Sequence, residues 1–327
     1  MSAFQPVSAR LGAPSSRCPR LLSYLVAAWC ALALALSMAP ALAQEPASGE
    51  MTVSTYRGDV VIPAEPKTVV VFDMASIDTL DALDVPMAAL PAAPFPDYLA
   101  HYAGDATPKV GSIFEPDFEA VAALAPDLII AGGRSSEQTE ALARIAPTID
   151  MTVDAGNLLA SAFERITTLG AIFGKADLAE QRIADLQGRI AALKETSAGV
   201  GTGLIVMTTG NRISAFGAGS RFGLLHAEFG VTPADPGLEA ANHGEAVSFE
   251  YIADTDPDWL FVIDRDAAIG QGAAAALLQN ELVENTKAWR SDHVVYLNPA
   301  TWYLTAPGLT ALETNVEQLT ARFDKGS

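Results

Sequence analysis

Phe118-Glu119-Ala120-Val121-Ala122, followed three residues later by Pro126-Asp127, returns as Phe249-Glu250-Tyr251-Ile252-Ala253, again three residues before Pro257-Asp258. Every matched position is offset by the same 131 residues, and an arginine stands eight residues after each proline, Arg134 and Arg265. In both copies a segment with helical spacing begins after a good N-cap residue, Asp117 or Ser248, and leads through Pro-Asp into a short apolar run that reads as a buried strand. A unit of this kind occurring twice predicts two related α/β lobes. Each arginine falls just past the carboxyl end of its strand, which is where open α/β sheets bind ligands. Lobes that face each other would bring both arginines into one cleft; for either arginine alone, an ion pair with a surface acid is the alternative.

The rest of the chain fits this frame. A hairpin is expected at residues 52–56 and 59–62. Apolar runs at 69–72, 87–90, 128–131 and 148–153 read as strands, alternating with helical spacing at 77–83, 118–124 and 137–145. From 158 to 196 the pattern becomes continuously helical apart from Gly174, and its second half carries Leu178, Ile183, Leu186, Ile190 and Leu193 at three- to five-residue steps. Strand runs resume at 204–207, 259–263 and 294–297, and a helix closes the chain over 309–323. The expected fold is α/β: two Rossmann-like lobes with mostly parallel, doubly wound sheets, residues 44–174 and 199–327, joined by one long helix at 175–198. A single stiff connection of this kind should restrain closure of the lobes.

Residues 1–43 differ from everything after them. They hold Arg10, Arg17 and Arg20 and no acid, then an apolar stretch ending in Ala41-Leu42-Ala43 before Gln44. That order describes a secretory signal peptide cleaved after Ala43; retention as an anchor is the alternative reading. Cleavage removes both cysteines, Cys18 and Cys30, and Trp29 is too bulky for the residue that precedes a lipidated cysteine. A soluble periplasmic protein that is not a lipoprotein is expected. The whole chain carries 20 basic and 39 acidic residues, a net charge of −19, which becomes −22 once the three arginines leave. Without clustered positive charge it is a poor partner for nucleic acid.

Motifs for catalysis are missing: there is no GxSxG elbow, no GxxxxGK[ST] loop and no HExxH. Gly217-Ala218-Gly219-Ser220-Arg221-Phe222-Gly223 either presents Arg221 and backbone N–H groups to an anion or is an ordinary strand-to-helix turn. Among the histidines, His226 and His293 suit core or surface positions and nothing marks His101. His243 stands in a turn-like Asn242-His243-Gly244, and Tyr303 follows Trp302 in a loop directly after a strand. An imidazole and a phenolate together suit Fe(III), a hard ion; a loop tyrosine that is simply packed is the alternative.

Two α/β lobes, one connecting helix and the segments GSRFG (219–223), NHGEAVSFEYI (242–252), PDWLFVIDR (257–265) and NPATWYL (298–304) resemble the periplasmic substrate-binding proteins of ferric-siderophore ABC importers. The resemblance is strongest to the branch that binds catecholate siderophores of enterobactin-fragment or petrobactin type, and it implies the siderophore/cobalamin-type binding-protein fold. It also implies that Arg134, Arg221 and Arg265 contact the anionic iron–catecholate centre; Trp302, adjoining Tyr303, is expected to be a ligand-binding residue as well. His243 and Tyr303 would complete the iron coordination when the siderophore supplies only four donors. Glu119 and Glu250, at the lobe tips, would pair with arginines of the membrane permease, although an acid in a first helical turn is also explained by the helix dipole.

The expected function is therefore a monomeric, non-enzymatic protein with no intrinsic cofactor, whose ligand is a ferric siderophore and whose partner is the importer permease. Haem, a hydroxamate siderophore or cobalamin are alternative ligands for the same fold. A metal-dependent hydrolase would need a carboxylate–histidine cluster that the sequence does not display.

Overall fold

Asp127 and Asp258, the aspartates of the two Pro-Asp pairs, do the same structural work in two places. Asp127 accepts the backbone N–H groups of Lys67 and Thr68, both at 2.9 Å. Asp258 accepts the N–H of Thr202 at 2.8 Å and its hydroxyl at 3.0 Å. Each carboxylate thus pins the chain as it enters the first strand of its lobe. The computed structural model describes residues 49–238, 243–272 and 274–326. The expected signal segment lies outside the described residues.

An antiparallel hairpin, β1 (Glu50–Thr55) and β2 (Gly58–Pro63), comes first. The first lobe then builds a parallel sheet in the order β3 (Val69–Val71), β4 (Leu128–Ala131), β5 (Thr148–Asp150). The strand expected at 87–90 is reduced to isolated parallel bridges, Val70 with Ala89 and Leu90 with Lys109. The helix expected at 137–145 is a 3-10 turn, Gly133–Gln138, running into one short helix, Thr139–Leu142.

The second lobe contains β6 (Thr202–Thr209), β7 (Arg212–Phe216), β8 (Thr232–Pro233), β9 (Glu245–Val247), β10 (Trp259–Asp264) and β11 (Val294–Leu297). They form a sheet ordered β11-β10-β6-β7-β9, with β8 beside β6. Here the expectation of a mostly parallel sheet needs correcting. β10 is parallel to β6 and β11, but β7 is antiparallel to both β6 and β9, because Gly210 at φ +54 turns the chain straight back.

Alternation along the strands explains how the lobes share one interior. Val69, Val71, Leu128, Ile130 and Ile149 point into the same cluster as Ile205, Phe261 and Ile263 of the second lobe. The intervening residues face outward under separate helical covers: Val70, Ile129 and Ala131 in one lobe, Leu204, Val206, Leu260 and Val262 in the other. The helix Ala176–Ser197 supplies the middle of this shared core from a single stripe, Ala179, Ile183, Leu186, Ile190 and Leu193. At about 1.5 Å per residue it is roughly 33 Å long, and Gly174 at φ +65 separates it from the preceding helix, Leu158–Ile172.

A second brace was not visible in the sequence. The closing helix Leu309–Gly326 packs on both the linking helix and Met74–Ala82 of the first lobe. Arg182 on the linking helix grips Glu313 bidentately at 2.7 and 2.6 Å. The buried carboxylate of Asp78 accepts the N–H groups of Thr310 at 2.8 Å and Ala311 at 3.1 Å, capping the closing helix across a sequence gap of more than 230 residues.

Candidate functional site

A cavity of about 1410 Å³ opens between the two sheets, with Arg134, Arg221, Arg265, His243 and Tyr303 all among its lining residues. Five residues scattered over 170 positions therefore meet at one place, and the fold explains how each gets there.

Arg134 follows β4 in the turn Gly132-Gly133-Arg134. Gly133 has φ +51, a left-handed conformation that favours glycine, and a Cβ on Gly132 would lie 3.1 Å from Asp73 and from the Met151–Thr152 backbone. Arg265 follows β10 at the equivalent place, and its N–H donates to Thr208 O at 3.1 Å. Arg221 comes from the glycine-rich loop after β7. The Ser220 and Gly223 N–H groups are used within that loop, on Gly217 O and Ser220 O, and Phe222 N–H on Ser220 Oγ. Gly219, Ser220 and Arg221 of this loop all line the cavity.

Tyr303 sits on a single π-helical turn, Ala300–Leu304, in which Thr305 N–H donates to Ala300 O at 3.1 Å. The closing helix holds this turn in place: Asn315 accepts the Thr301 hydroxyl at 2.6 Å and Gln318 accepts the Asn298 N–H at 3.1 Å. Turns of this type widen the helix locally and often mark functional positions.

The three guanidinium groups close around that tyrosine. Arg134 and Arg221 both donate to its backbone carbonyl oxygen, the latter at 3.3 Å, and Arg265 Nε donates to its phenolic oxygen at 3.1 Å. Their central carbons lie 4.7, 5.0 and 5.8 Å from the ring centroid for Arg134, Arg221 and Arg265. Burial alone would raise the phenol pKa; the Arg265 hydrogen bond and the three positive charges outweigh it and hold the pKa below the usual tyrosine value. Burial, aided by the neighbouring Arg134 charge, pushes Arg221 down to about 10, and burial also lowers Arg134. A cavity wall with three cations beside one phenol is chemically suited to an anionic ligand.

The remaining candidates are placed as follows. His243 is exposed and faces the cavity. Trp302 also lines the cavity, but its indole is only 2% exposed, lies edge-to-face with Phe229 and leaves Nε1 without a hydrogen-bond partner. Glu119 and Glu250 are exposed near the starts of the helices Phe118–Ala123 and Phe249–Thr255. Their caps match, with Asp117 accepting Ala120 N–H at 3.0 Å and Ser248 accepting Tyr251 N–H at 3.3 Å.

The other three histidines have local partners. His226 bonds Val231 O at 2.8 Å, His293 bonds Asp258 O at 3.1 Å and stacks on Trp259, and His101 pairs with Asp81 at 3.0 Å. Among the described residues no three His, Cys, Asp or Glu side chains gather into a metal cage. Sequence reasoning missed Tyr56, Asp73 and Phe114, which also line the cavity, because each reaches it through tertiary packing.

Comparison with known proteins finds relatives over most of the chain. The family model described as periplasmic binding protein matches residues 69–301. The petrobactin-binding protein YclQ of Bacillus subtilis is 42% identical over 268 residues, covering 81% of this chain and 84% of that protein. Its crystal structure superposes with a TM-score of 0.81 at 40% identity, over 84% of this chain and 99% of that one. The ferric-anguibactin-binding protein FatB of Vibrio anguillarum is 30% identical over 285 residues, covering 84% of this chain and 88% of that protein. The periplasmic catecholate-siderophore binding protein VctP of Vibrio cholerae superposes with a TM-score of 0.80 at 31% identity, over 83% of this chain and 99% of that one.

Proposed function

The chain belongs to the periplasmic binding protein family, and from that premise we propose that it captures a ferric catecholate siderophore in the interlobe cavity and delivers it to an ABC-type iron importer. The observation that carries this reading is the convergence of Arg134, Arg221 and Arg265 on Tyr303. A ferric bis-catecholate is a compact anion rich in oxygen acceptors, and guanidinium groups give such oxygens directional, charge-assisted hydrogen bonds. A ligand with four donors leaves two of six iron positions open. Tyr303, as phenolate, and His243 are assigned to those positions, and the depressed pKa of Tyr303 favours the form that binds iron. Haem would present a broad apolar disc with two peripheral carboxylates, for which three cations crowded on one phenol are a poor match.

The remaining assignments belong to the same proposal. The protein is exported by a signal peptide cleaved after Ala43, without lipidation, and acts as a monomer. Glu119 and Glu250, exposed on equivalent capped helices in the two lobes, dock on basic residues of the permease. Size-exclusion chromatography after mixing with a ferric bis-catecholate tests the capture step: iron should co-elute with the protein at one equivalent, and iron confined to the small-molecule fraction would reject it. Charge reversal at Glu119 or Glu250 should abolish iron uptake by cells while leaving that co-elution intact; unchanged uptake would remove their docking role.

A further inference from the structure

Two large aromatic side chains stand in solvent at the edge of the cavity in the first lobe. Tyr56 is 55% exposed and Phe114 is 62% exposed, and both line the cavity that holds the three arginines. What sets these two apart from the other exposed hydrophobic side chains is their place in the cavity lining, where a ligand seated in the cavity would cover them.

Neither is at the tip of a loose loop. Tyr56 lies in the β1–β2 turn, where its N–H donates to Asp150 O at 2.9 Å and the Thr55 hydroxyl donates to Gly58 O at 2.7 Å. Its neighbour Arg57 reaches the buried Asp150 carboxylate at 2.9 Å and Ser136 O at 3.0 Å. Asp150 in turn accepts the hydroxyls of Ser136 and Thr152, each at 2.5 Å. Phe114 occupies a tight turn closed by Ser112 N–H on Glu115 O at 2.9 Å, and its own carbonyl accepts Gln138 Nε2 at 3.0 Å. Both aromatics are thus tied to one element, the turn Gly133–Gln138, whose second residue is Arg134. The same turn carries a cation into the cavity and fixes two apolar rings on its rim. Tyr56 also lies outside residues 69–301, the span matched by the family model.

We propose that Tyr56 and Phe114 form an aromatic rim that packs against the aryl rings of the bound chelate and so selects catecholates over iron chelates built from carboxylates or hydroxamates. The inference rests on the reading given under Proposed function. The arginines recognise charge, which citrate-like chelates also carry, whereas the exposed rings of Tyr56 and Phe114 respond to the rings of a ligand. Aromatic pairs at 4.5–7 Å between centroids add favourable energy beyond plain burial, and rings held on tethered turns lose little freedom on binding.

The test is the affinity of a linear ferric bis-catecholamide, which has two aryl rings and four donors, read from tryptophan emission for the wild type and for Tyr56→Phe, Tyr56→Leu and Phe114→Leu. Ferric nitrilotriacetate, with four donors and no ring, is the comparison chelate. Tyr56→Phe should bind like the wild type, whereas each leucine variant should bind the bis-catecholamide about three- to tenfold more weakly with no loss in affinity for nitrilotriacetate iron. Leucine variants that match the wild type on the bis-catecholamide would overturn the rim, as would equal losses on both chelates. A wild type that binds nitrilotriacetate iron and ignores the bis-catecholamide would overturn the underlying reading and the rim with it.

Discussion

Arg265 Nε donates to the phenolic oxygen of Tyr303 at 3.1 Å, joining the end of β10 to the π-helical turn. The bond works in both directions: Tyr303 raises the arginine's pKa, and the arginine helps to lower that of the phenol. With Arg134 and Arg221 on the carbonyl of the same residue, the cavity gathers three positive charges around one tyrosine.

The phenol of Tyr303 should therefore ionise below the ordinary tyrosine value of about 10. Ultraviolet difference titration should show one such tyrosine, lost in Tyr303→Phe and moved upward in Arg265→Gln. Because the folded pKa is depressed, the group adds stability above the unfolded pKa, and this contribution fades as the pH falls through the folded value. A titration curve identical in wild type and Tyr303→Phe would refute the assignment.

Replacing Arg134 or Arg221 by glutamine should weaken binding of an anionic ferric chelate by roughly ten- to a hundredfold, the usual range of about 1.5–3 kcal/mol for hydrogen bonds to a charged group. Both side chains are partly buried, so added salt should reduce affinity only modestly. Isothermal titration at two salt concentrations checks both statements. Losses below threefold would mean that the arginines only support Tyr303.

Much of this was legible in the sequence because the chain repeats itself. The offset between Phe118 and Phe249 located two strand ends and two arginines, and the structure returns the same helix, Pro-Asp and strand in both lobes. The unseen features depend on partners far away in the chain. Nothing near Asp78 announces that it caps the helix beginning at Leu309. The burial patterns of the antiparallel β7 and β9 lack the continuous apolar run that marks β4 and β10. The π-helical turn under Tyr303 has no composition signal, and Tyr56 belongs to a hairpin whose relation to the cavity is set by Arg57 and Asp150.

Asp78 is buried, and desolvation pushes its pKa up to about 7 despite hydrogen bonds from Tyr98, Thr310 and Ala311; the nearby Glu313 adds to the rise, while Arg182 is the facing cation. The folded state then binds more protons than the unfolded state between about pH 4 and about pH 7, so this residue's contribution to stability declines as the pH rises through that window and stays at its minimum above it. The effect is on the order of a few kcal/mol. Denaturant midpoints measured from pH 4 to 8 should flatten in Asp78→Asn; an unchanged slope would contradict the burial of a charge-prone carboxyl.

Two braces cross between the lobes, the linking helix and the closing helix clamped by Arg182 and Glu313. X-ray scattering with and without a ferric bis-catecholate should give nearly the same radius of gyration. Arg182→Gln should make the ligand-induced change larger. A marked compaction of the wild type would show that the lobes close freely.

The central claim is tested most directly by titrating tryptophan emission with a ferric bis-catecholate and, separately, with haemin. Trp302 immediately precedes Tyr303 in the chain, within the same π-helical turn, so iron bound at the phenolate should quench its emission, with saturation at one equivalent of the catecholate and weaker response to haemin. Emission unaffected by the catecholate, together with tight saturable quenching by haemin, would contradict the assignment of this cavity to a ferric catecholate.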